Sequence, residues 1–337
     1  MKKGIQFLLV MCFALTLMGC QSEKKEEVKE EKQVEKEPEV KKTEITLSFV
    51  GDITLGNYAG QGYEGSFDQE YEKQGKDCRY FLKNVKTVFE KDDLTIANLE
   101  GPLTTSQDYA EKTFAFKGKP EYVDILTEGS VEAVTLANNH SRDHFEQGME
   151  DTKEVLDQKD IKHFGYDESC IIDVKGIKIG FLGYSFPYEL TAEMKKAITD
   201  LKTKSDLVII YYHWGIERDK APMESQRSLA KQTIDAGADL IIGSHPHVLQ
   251  GIETYKGKKI VYSLGNFCFG GNKNPSDKDT MIYQHTFSFE NNELVQEEHE
   301  VIPCMISSVS SRNNYQPTIV EGDDEMCIRD RANRNHM

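Results

Sequence analysis

Short apolar segments alternate with amphipathic helical patterns from residue 45 onward, and this alternation predicts an α/β fold. The predicted strands are 45–50, 93–98, 132–137, 177–185, 206–212, 239–243 and 259–265. Apolar residues recur at helical spacing in 146–160, 191–205 and 224–238, which predicts a helix for each segment. No internal repeat interrupts the pattern, so we predict one domain over residues 45–322.

Five of these strands are followed by residues of types that can bind metal ions. They are Asp52, Glu100, Asn139 with His140, His213, and His245 with His247. The carboxyl ends of strands in open α/β sheets are where sites assemble, so we expect these side chains to meet. Carboxylate, amide and imidazole ligands together suit Mn, Zn or Fe. The pattern predicts a centre of divalent metal ions. Two ions about 3.5–4 Å apart clamp both the attacking and the leaving oxygen of a hydrolysed bond.

The segment "IIGSHPHVLQG" places His245 and His247 two residues apart. Side chains two apart in an extended chain point the same way, so both rings are expected to face one metal cluster. Simpler interpretations stay open at this point. The two histidines are alternatively packed or capping residues, His213 an edge-of-core histidine, Glu100 a surface carboxylate and Asn139 a turn former.

Net charge narrows the choice of partners. The sequence carries a formal net charge of −16 and has a pI of about 5.1. Nonspecific nucleic-acid binding needs a basic surface that displaces counterions, so we predict no nucleic-acid partner. An acidic ligand needs a local basic or metal-bearing pocket on such a protein.

The N-terminus has the order of a secretory signal peptide. Lys2 and Lys3 precede an apolar segment that is too short for a comfortable transmembrane helix and ends at Cys20. "LMGC" resembles the lipobox of bacterial lipoproteins. This resemblance implies that residues 1–20 are a signal peptide and that Cys20 is the lipid anchor, on the extracellular face of the bacterial cell membrane. The alternative is an ordinary signal peptide with a chance cysteine.

Two further segments lie outside the predicted domain. Residues 21–44 are nearly all Glu and Lys with no aromatic residue, which predicts a disordered tether that buries no core. Apolar periodicity stops after "PTIV", so we predict that residues 323–337 are a tail foreign to the domain, such as a sequencing or frame artefact produces.

Six motifs at the strand ends together carry a family resemblance. In chain order they are "FVGD", "ANLEGPL", "LANNHSRDHFEQGMEDT", "YYHWG", "IIGSHPHVLQ" and "YSLGNF". They resemble the CapA family of bacterial capsule or poly-γ-glutamate synthesis proteins, whose fold belongs with the calcineurin-like metallophosphatases. The resemblance covers residue 45 to about residue 320. It implies a sandwich of two β-sheets flanked by helices.

The resemblance also implies an arrangement of ligands around two ions. Asp52 and His247 would bind the first metal, Glu100 would stand in the bridging position, and Asn139, His213 and His245 would bind the second. One departure concerns the first motif, where phosphatases of this fold carry Asp-x-His. Thr54 stands in place of that histidine, so the first metal lacks an imidazole.

Three more residues receive roles by the same resemblance. His140 would face the substrate and protonate the leaving group, and Asn266 would line the pocket. Asp143 would orient His140, although a helix-capping role for Asp143 is equally open. The chemistry implied is hydrolysis of a phosphoester or amide with His140 as general acid.

The function expected is that of a membrane-anchored extracellular CapA-type protein acting on poly-γ-glutamate or a related anionic envelope polymer, in its synthesis, export or release. An alternative is a noncatalytic accessory subunit that binds the polymer or a membrane synthase on a retained metallophosphatase scaffold. A third is a lipoprotein hydrolase with another envelope substrate.

Overall fold

The computed structural model describes residues 40–333. The strands run in this order: β1 (Lys42–Thr54), β2 (Asn57–Tyr58), β3 (Leu94–Leu99), β4 (Phe116–Lys117), β5 (Ala133–Thr135), β6 (Lys162–Phe164), β7 (Cys170–Val174), β8 (Ile177–Ser185), β9 (Leu207–His213), β10 (Leu240–Ser244), β11 (Leu249–Tyr255), β12 (Lys258–Leu264), β13 (Asn266–Phe269), β14 (Asp279–Glu290), β15 (Glu293–Met305) and β16 (Thr318–Ile319). The helices are α1 (Phe67–Lys73), α2 (Arg79–Leu82), α3 (Lys86–Phe89), α4 (Val123–Glu128), α5 (Phe145–Gln158), α6 (Ala192–Lys202), α7 (Glu224–Asp235) and α8 (Asp323–Asn333).

Two large sheets organise the described residues. The first has the strand order β16-β15-β14-β1-β3-β5-β6, with β13 paired to β1. The second has the order β11-β12-β10-β9-β8-β7, and β2 pairs separately with β4. The predicted α/β fold with two β-sheets flanked by helices is confirmed.

The central core lies between the two sheets. Side chains that alternate along β1, such as Leu47 and Phe49, belong to the same buried cluster as Ile209 and Tyr211 of β9. The rings of Phe49 and Tyr211 have centroids 6.1 Å apart. Burying each side chain of this size stabilises the fold by about 1.5–3 kcal/mol, so the inward faces of β1 and β9 hold the sheets together.

Helices cover the outer faces of both sheets. α6 buries Met194, Ile198 and Leu201, which lie on one helix face at spacings of four and three residues, against the second sheet. The hydroxyl of Thr191 accepts a hydrogen bond from the Met194 N–H (3.2 Å), which caps the helix where the sequence predicts its start. α7 packs in the same cluster, whereas α1 to α5 contribute to the cluster on the other sheet.

Several elements differ from the sequence prediction. β1 begins at Lys42, so it includes the last three residues of the predicted tether. β14 and β15 were not predicted; β15 escapes a pattern search because six of its eight residues from Glu293 to Glu300 are exposed and four of the eight are glutamates. α8 covers most of the predicted tail, and its Ile328 and Ala332 are buried in the central cluster.

The N-terminal predictions fall outside this part of the chain. The predicted signal peptide, the lipid anchor Cys20 and most of the tether lie outside the described residues. Among the helices of residues 40–333, none is both long enough and apolar enough to cross a membrane.

Parallel pairing brings the predicted site residues to one edge. β1 pairs parallel with β3 and β3 with β5, while β9 pairs parallel with β10. Asp52 is in register with Asn98 in the first sheet, and His213 with Ser244 in the second. The carboxyl ends of these strands therefore meet at the same end of the sandwich, as the strand-end pattern predicts.

Candidate metal centre

Glu100 is the buried carboxylate at the middle of the predicted site. It follows β3 directly, its N–H donates to the carbonyl of Ile53 (2.7 Å), and its side chain has no exposed surface. Within the described residues, neither carboxylate oxygen has a hydrogen-bond partner. Oε1 instead lies 3.8 Å from Nε2 of His213 and 3.9 Å from Nε2 of both His140 and His247. The alternative of a surface carboxylate is wrong.

These separations fit ligands around a shared cation. Ligand atoms that each lie about 2.0–2.2 Å from one ion are themselves about 3–4 Å apart. Burial, reinforced by the negative charge of Asp52, raises the pKa of Glu100 well above its usual value. A buried polar atom without a partner is unfavourable by about 1–3 kcal/mol, more when it is charged. A divalent cation satisfies such oxygens, so the residues present fit a metal ion.

Asp52 is the second buried carboxylate of the centre. Its Oδ1 accepts a hydrogen bond from Nδ2 of Asn98 (2.8 Å), and its Oδ2 lies 3.2 Å from Nδ1 of His247. The backbone there approaches the turn between β12 and β13 closely. A Cβ on Gly51 would lie 2.0 Å from the Gly265 carbonyl oxygen, which accepts the Asp52 N–H at 2.9 Å. Glycine at position 51 therefore permits the contact that fixes Asp52.

His213, from the second sheet, contacts a residue that follows a strand of the first sheet. It ends β9, is 1% exposed, and has Nδ1 3.0 Å from the Ser244 hydroxyl and Nε2 2.7 Å from Oδ1 of Asn139. Asn139 is an exposed residue in the turn after β5, so it both forms the predicted turn and contacts His213. Burial, followed by the nearby His245 and His247, lowers the pKa of His213 well below its usual value. A neutral imidazole is the form that binds metal.

The extended backbone predicted for His245 and His247 is wrong. β10 ends before them, and both adopt positive φ angles, 96° and 57° respectively, on either side of Pro246. Such conformations are unfavourable by about 1–3 kcal/mol each in a residue other than glycine and cluster at functional sites. Two hydrogen bonds hold the bend: His245 N–H donates to Asp52 Oδ2 (3.3 Å), and Arg218 N–H donates to the Pro246 carbonyl (2.7 Å).

The two histidines are in different electrostatic environments. His245 is 5% exposed, and its Nδ1 has no hydrogen-bond partner in the described part of the chain. Its burial, with the nearby charge of His247, lowers the pKa of His245 to about 4. Burial also opposes a charge on His247, but Glu100 and Asp52 outweigh it and raise the pKa of His247 to about 10.

Metal-ligating atoms converge in two overlapping groups. The inner group contains Asp52, Glu100 and His247, and the outer group contains Glu217, His245 and His247. In each group one ligand atom per residue lies within 4.8 Å of the others. The inner group has two fully buried carboxylates, whereas Glu217 of the outer group is exposed. The roles of all these residues as ligands stay predictions.

His140 and Asp143 form the contact that the sequence suggests. Nδ1 of His140 lies 2.7 Å from Oδ2 of Asp143, which also accepts the Phe116 N–H (2.6 Å). Lys112 pairs with the other oxygen of Asp143. Asp143 makes no capping hydrogen bond to α5, which begins at Phe145, so the helix-capping alternative is wrong. Burial, opposed by Asp143, lowers the pKa of His140.

The remaining predicted residues also lie at the site. Asn266 begins β13, and its Oδ1 is 2.8 Å from Nδ1 of His247. Thr54, two residues after Asp52, is 1% exposed, and its hydroxyl has no hydrogen-bond partner among residues 40–333. The structure thus brings together every residue that the sequence assigns to the centre and leaves a buried hydroxyl where the phosphatase motif has a histidine.

A cleft of about 910 Å³ opens onto the centre. His140, His247 and Asn266 form part of its wall. Cationic side chains from surrounding loops also line it: Arg218, Lys220, Lys273 and Lys278. Acidic residues are present too, and Lys220 pairs with Asp277 (3.4 Å). A locally basic cleft of this kind is what an anionic ligand needs on a protein with a negative net charge.

Sequence reasoning missed three residues of the site. Asn98 donates to Asp52, and its Oδ1 accepts from Nδ2 of Asn138 (3.0 Å). An amide residue at the end of the predicted strand "DLTIAN" was the available signal for Asn98. Glu217 lies four residues after His213 in a loop, where strand-end position gives no indication of its direction.

The fold and the site define an α/β protein with two sheets and a carboxylate–imidazole centre at the carboxyl ends of its strands. A family model described as bacterial capsule synthesis protein PGA_cap matches residues 46–271. The chain therefore belongs to this family, and the resemblance to the CapA family is confirmed. The family acts in capsule and poly-glutamate biosynthesis.

Individual relatives agree with the family assignment. The PGA biosynthesis protein CapA of Bacillus subtilis strain 168 is 35% identical over 250 residues, covering 67% of this chain and 63% of that protein. The capsule biosynthesis protein CapA of Bacillus anthracis is 30% identical over 271 residues, covering 72% and 64% respectively. The chain thus spans less than two thirds of these curated relatives. A crystal structure of a hypothetical protein from Thermus thermophilus covers 77% of this chain and 99% of its own, with 16% identity and a TM-score of 0.47.

Proposed function

We propose that this protein is a metal-dependent hydrolase acting on poly-γ-glutamate or a related anionic envelope polymer during capsule synthesis, export or release. One observation carries the proposal. The buried Glu100 carboxylate has no hydrogen-bond partner in residues 40–333, yet its Oε1 lies 3.8–3.9 Å from three imidazole nitrogens. A carboxylate buried among imidazoles without hydrogen bonds is unfavourable unless a cation joins them.

The residues have separable roles in this proposal. Divalent ions would be held by the residues named from the sequence, Asp52, Glu100, Asn139, His213, His245 and His247. When bound, such ions polarise the bond to be cleaved and lower the pKa of water. His140, fixed by Asp143, presents Nε2 toward the centre and donates a proton to the leaving group. The lowered pKa of His140 makes its protonated form a stronger acid, and a proton from water restores that form after each donation.

The cleft supports a polymer of negative charge as the ligand. Its Arg218 and the lysines face an anionic chain, and Asn266 offers an amide at the wall next to His247. Free carboxylates of poly-γ-glutamate match this chemistry, as do phosphodiesters. Incubation of full-length protein with poly-γ-glutamate and, separately, with a model phosphodiester distinguishes these two substrate classes. New chain ends should appear only with the substrate whose bond the protein cleaves.

We also propose that the protein acts at the extracellular face of the cell membrane, attached through a lipid on Cys20. The lipobox-like "LMGC" and the charged segment that follows it support this placement. Metabolic labelling with a radioactive fatty acid tests it: wild-type protein should incorporate label and partition into detergent, whereas Cys20→Ser protein should do neither. Unlabelled wild-type protein would rule out the anchor.

The second candidate is a noncatalytic accessory subunit that binds the polymer or a membrane synthase. Thr54 favours it, because the first metal lacks the imidazole found in phosphatases of this fold. The carboxylates and imidazoles that remain oppose it. If the protein binds metal and polymer but cleaves neither substrate, the accessory role replaces hydrolysis.

The central experiment combines metal analysis with turnover. Purified protein should contain divalent metal by mass spectrometry and should shorten poly-γ-glutamate, measured by size-exclusion chromatography. His245→Ala protein should lose metal and turnover together. Lys195→Gln on the exposed surface of α6 serves as the matched control and should change neither. Metal-free wild-type protein, together with unchanged polymer production in cells carrying His245→Ala, would falsify the proposal.

A further inference from the structure

Glu217 lies beside the centre without a role in the family resemblance. It occupies the loop between β9 and α7, and its carboxylate belongs to the outer group with His245 and His247. An exposed acidic side chain near histidines is by itself an ordinary surface feature. The surroundings of Glu217 decide whether its position is fixed.

One hydrogen bond closes a turn in the loop carrying Glu217, and another fastens the loop to the histidine segment. Asp219 N–H donates to the Ile216 carbonyl (3.2 Å), which closes a turn around Glu217. Arg218 N–H donates to the Pro246 carbonyl (2.7 Å), between the two histidines. The backbone next to Glu217 is therefore tied to the residue that separates its two partners.

Two buried glutamines, Gln226 and Gln250, also hold this loop in place. Nε2 of Gln250 donates to the Asp219 carbonyl (2.8 Å) and lies 3.3 Å from the Ala221 carbonyl. Nε2 of Gln226 donates to Oε1 of Gln250 (3.3 Å). The loop leaves β9 through Gly215, which has a φ of 86°. A Cβ at this position would lie 2.9 Å from Oε1 of Gln226, so the conformation of the loop favours glycine here. These contacts fix the direction of the loop.

The independent sign of a ligand is His245. Its Nδ1 is buried and has no hydrogen-bond partner in the described residues. The residue is 5% exposed and holds a positive φ of 96°. A buried ring nitrogen without a partner, held in a strained backbone, points to a bound ligand such as a cation.

Resting on the proposed function, we infer that Glu217 is a metal ligand, which completes with His245 and His247 an outer position for a divalent cation. The inner group keeps two buried carboxylates for its own ion, and His247 is common to both groups. The outer position has one carboxylate, which is exposed, so its ion exchanges with solvent more readily.

Metal titration of a charge-removing variant tests this assignment. Full-length protein is stripped with chelator, titrated with Mn²⁺ alone and then with Zn²⁺ alone, and its bound metal is counted after desalting. Wild-type protein should bind two ions. Glu217→Gln should keep the tighter ion and bind the second at least about tenfold more weakly, since even indirect ligand contacts contribute about 10–100-fold. Spin coupling between two bound Mn²⁺ ions, seen by electron paramagnetic resonance, should disappear in the variant.

Glu224→Gln is the matched control. Glu224 lies in the exposed first turn of α7, seven residues along the chain, and belongs to neither ligand group. The substitution removes the same charge as Glu217→Gln, and the variant should bind two ions as wild type does. Equal metal-free melting temperatures for both variants exclude an effect through folding.

The outcomes separate this inference from the proposed function. Two ions in wild type, with the second selectively weakened in Glu217→Gln, support it. Two ions with the same affinities in wild type and Glu217→Gln overturn the inference and leave the proposed function standing. A wild-type protein that binds no metal overturns both.

Discussion

Oε1 of Glu100 lies 3.8 Å from Nε2 of His213, and within residues 40–333 no hydrogen bond satisfies the carboxylate. The two residues come from different sheets, one following β3 and the other ending β9. Burial raises the pKa of Glu100 and lowers the pKa of His213, so in the absence of a cation each group tends toward its neutral form. The pair is therefore arranged for a metal ion rather than for an ion pair.

Glu100→Gln should separate metal binding from folding. The amide keeps the shape of the side chain but removes the charge that binds a cation, so metal affinity should fall at least about tenfold. The metal-free variant should be about as stable as wild type, because burial already drives the Glu100 carboxyl toward its neutral form. Chemical unfolding with and without Mn²⁺ measures both effects.

The control for this variant is an exposed acid. Glu128→Gln lies on the surface at the end of α4 and should keep the full stabilisation by metal. That stabilisation is about 2.7 kcal/mol at a metal concentration one hundred times the dissociation constant. Metal stabilisation of Glu100→Gln equal to wild type would show that Glu100 is not a ligand.

His140→Gln should reduce turnover without removing metal. His140 is fixed by Asp143 and faces the centre, and a general acid contributes about 10²–10⁴-fold to rate. We expect kcat on poly-γ-glutamate to fall by that factor, with two ions still bound. Loss of an ion from His140→Gln would instead make His140 a ligand.

The sequence could predict the parts of the site that depend on strand position. Asp52 lies near the end of β1, Glu100 follows β3 and His213 ends β9. The parallel pairing of β1 with β3 and of β9 with β10 brings carboxyl ends to one edge of each sheet. The positive φ angles of His245 and His247 follow from tertiary hydrogen bonds that join this segment to Asp52 and to the loop carrying Arg218, which local pattern does not contain.

The missed features share a physical cause. Glu217 lies in a turn that is held by Gln250, a residue 33 positions further along the chain, with Gln226 bonded to Gln250. β15 presents charged residues along much of its length, so a search for alternating apolar positions does not detect it. Contacts between residues distant in the sequence thus determine the features that the apolar pattern does not predict.

Thr54→Val should stabilise the metal-free protein. The Thr54 hydroxyl is buried, and it has no hydrogen-bond partner in the described part of the chain. Replacing an unsatisfied hydroxyl by a methyl group of similar size should raise the free energy of unfolding by about 1 kcal/mol. Urea unfolding of both proteins in chelator measures it.

A parallel metal titration decides whether Thr54 contributes to the centre. Thr54→Val should leave both metal affinities unchanged if the hydroxyl plays no part in binding. Weaker binding of one ion, together with unchanged metal-free stability, contradicts the prediction and makes the hydroxyl a contributor to that ion.

Glu132→Gln should flatten the pH dependence of stability in the metal-free protein. Oε2 of Glu132 accepts the Thr95 N–H (2.7 Å) at the start of β5, and burial, with the charge of Asp92 added, raises the pKa of Glu132 to about 7. The folded protein therefore holds this proton more tightly than the unfolded chain, where the pKa is about 4.5. The stabilisation by protonation is complete below the unfolded pKa and is lost as pH rises through about 7. Wild-type protein should lose about 1–3 kcal/mol from this group between about pH 5 and pH 8, whereas the variant, whose amide still accepts the Thr95 N–H, should not. Urea unfolding across that range, in chelator, measures the difference between the two proteins, and contributions from the metal-binding residues cancel in it. Parallel pH profiles for wild type and Glu132→Gln would show that the Glu132 carboxyl does not take up this proton on folding.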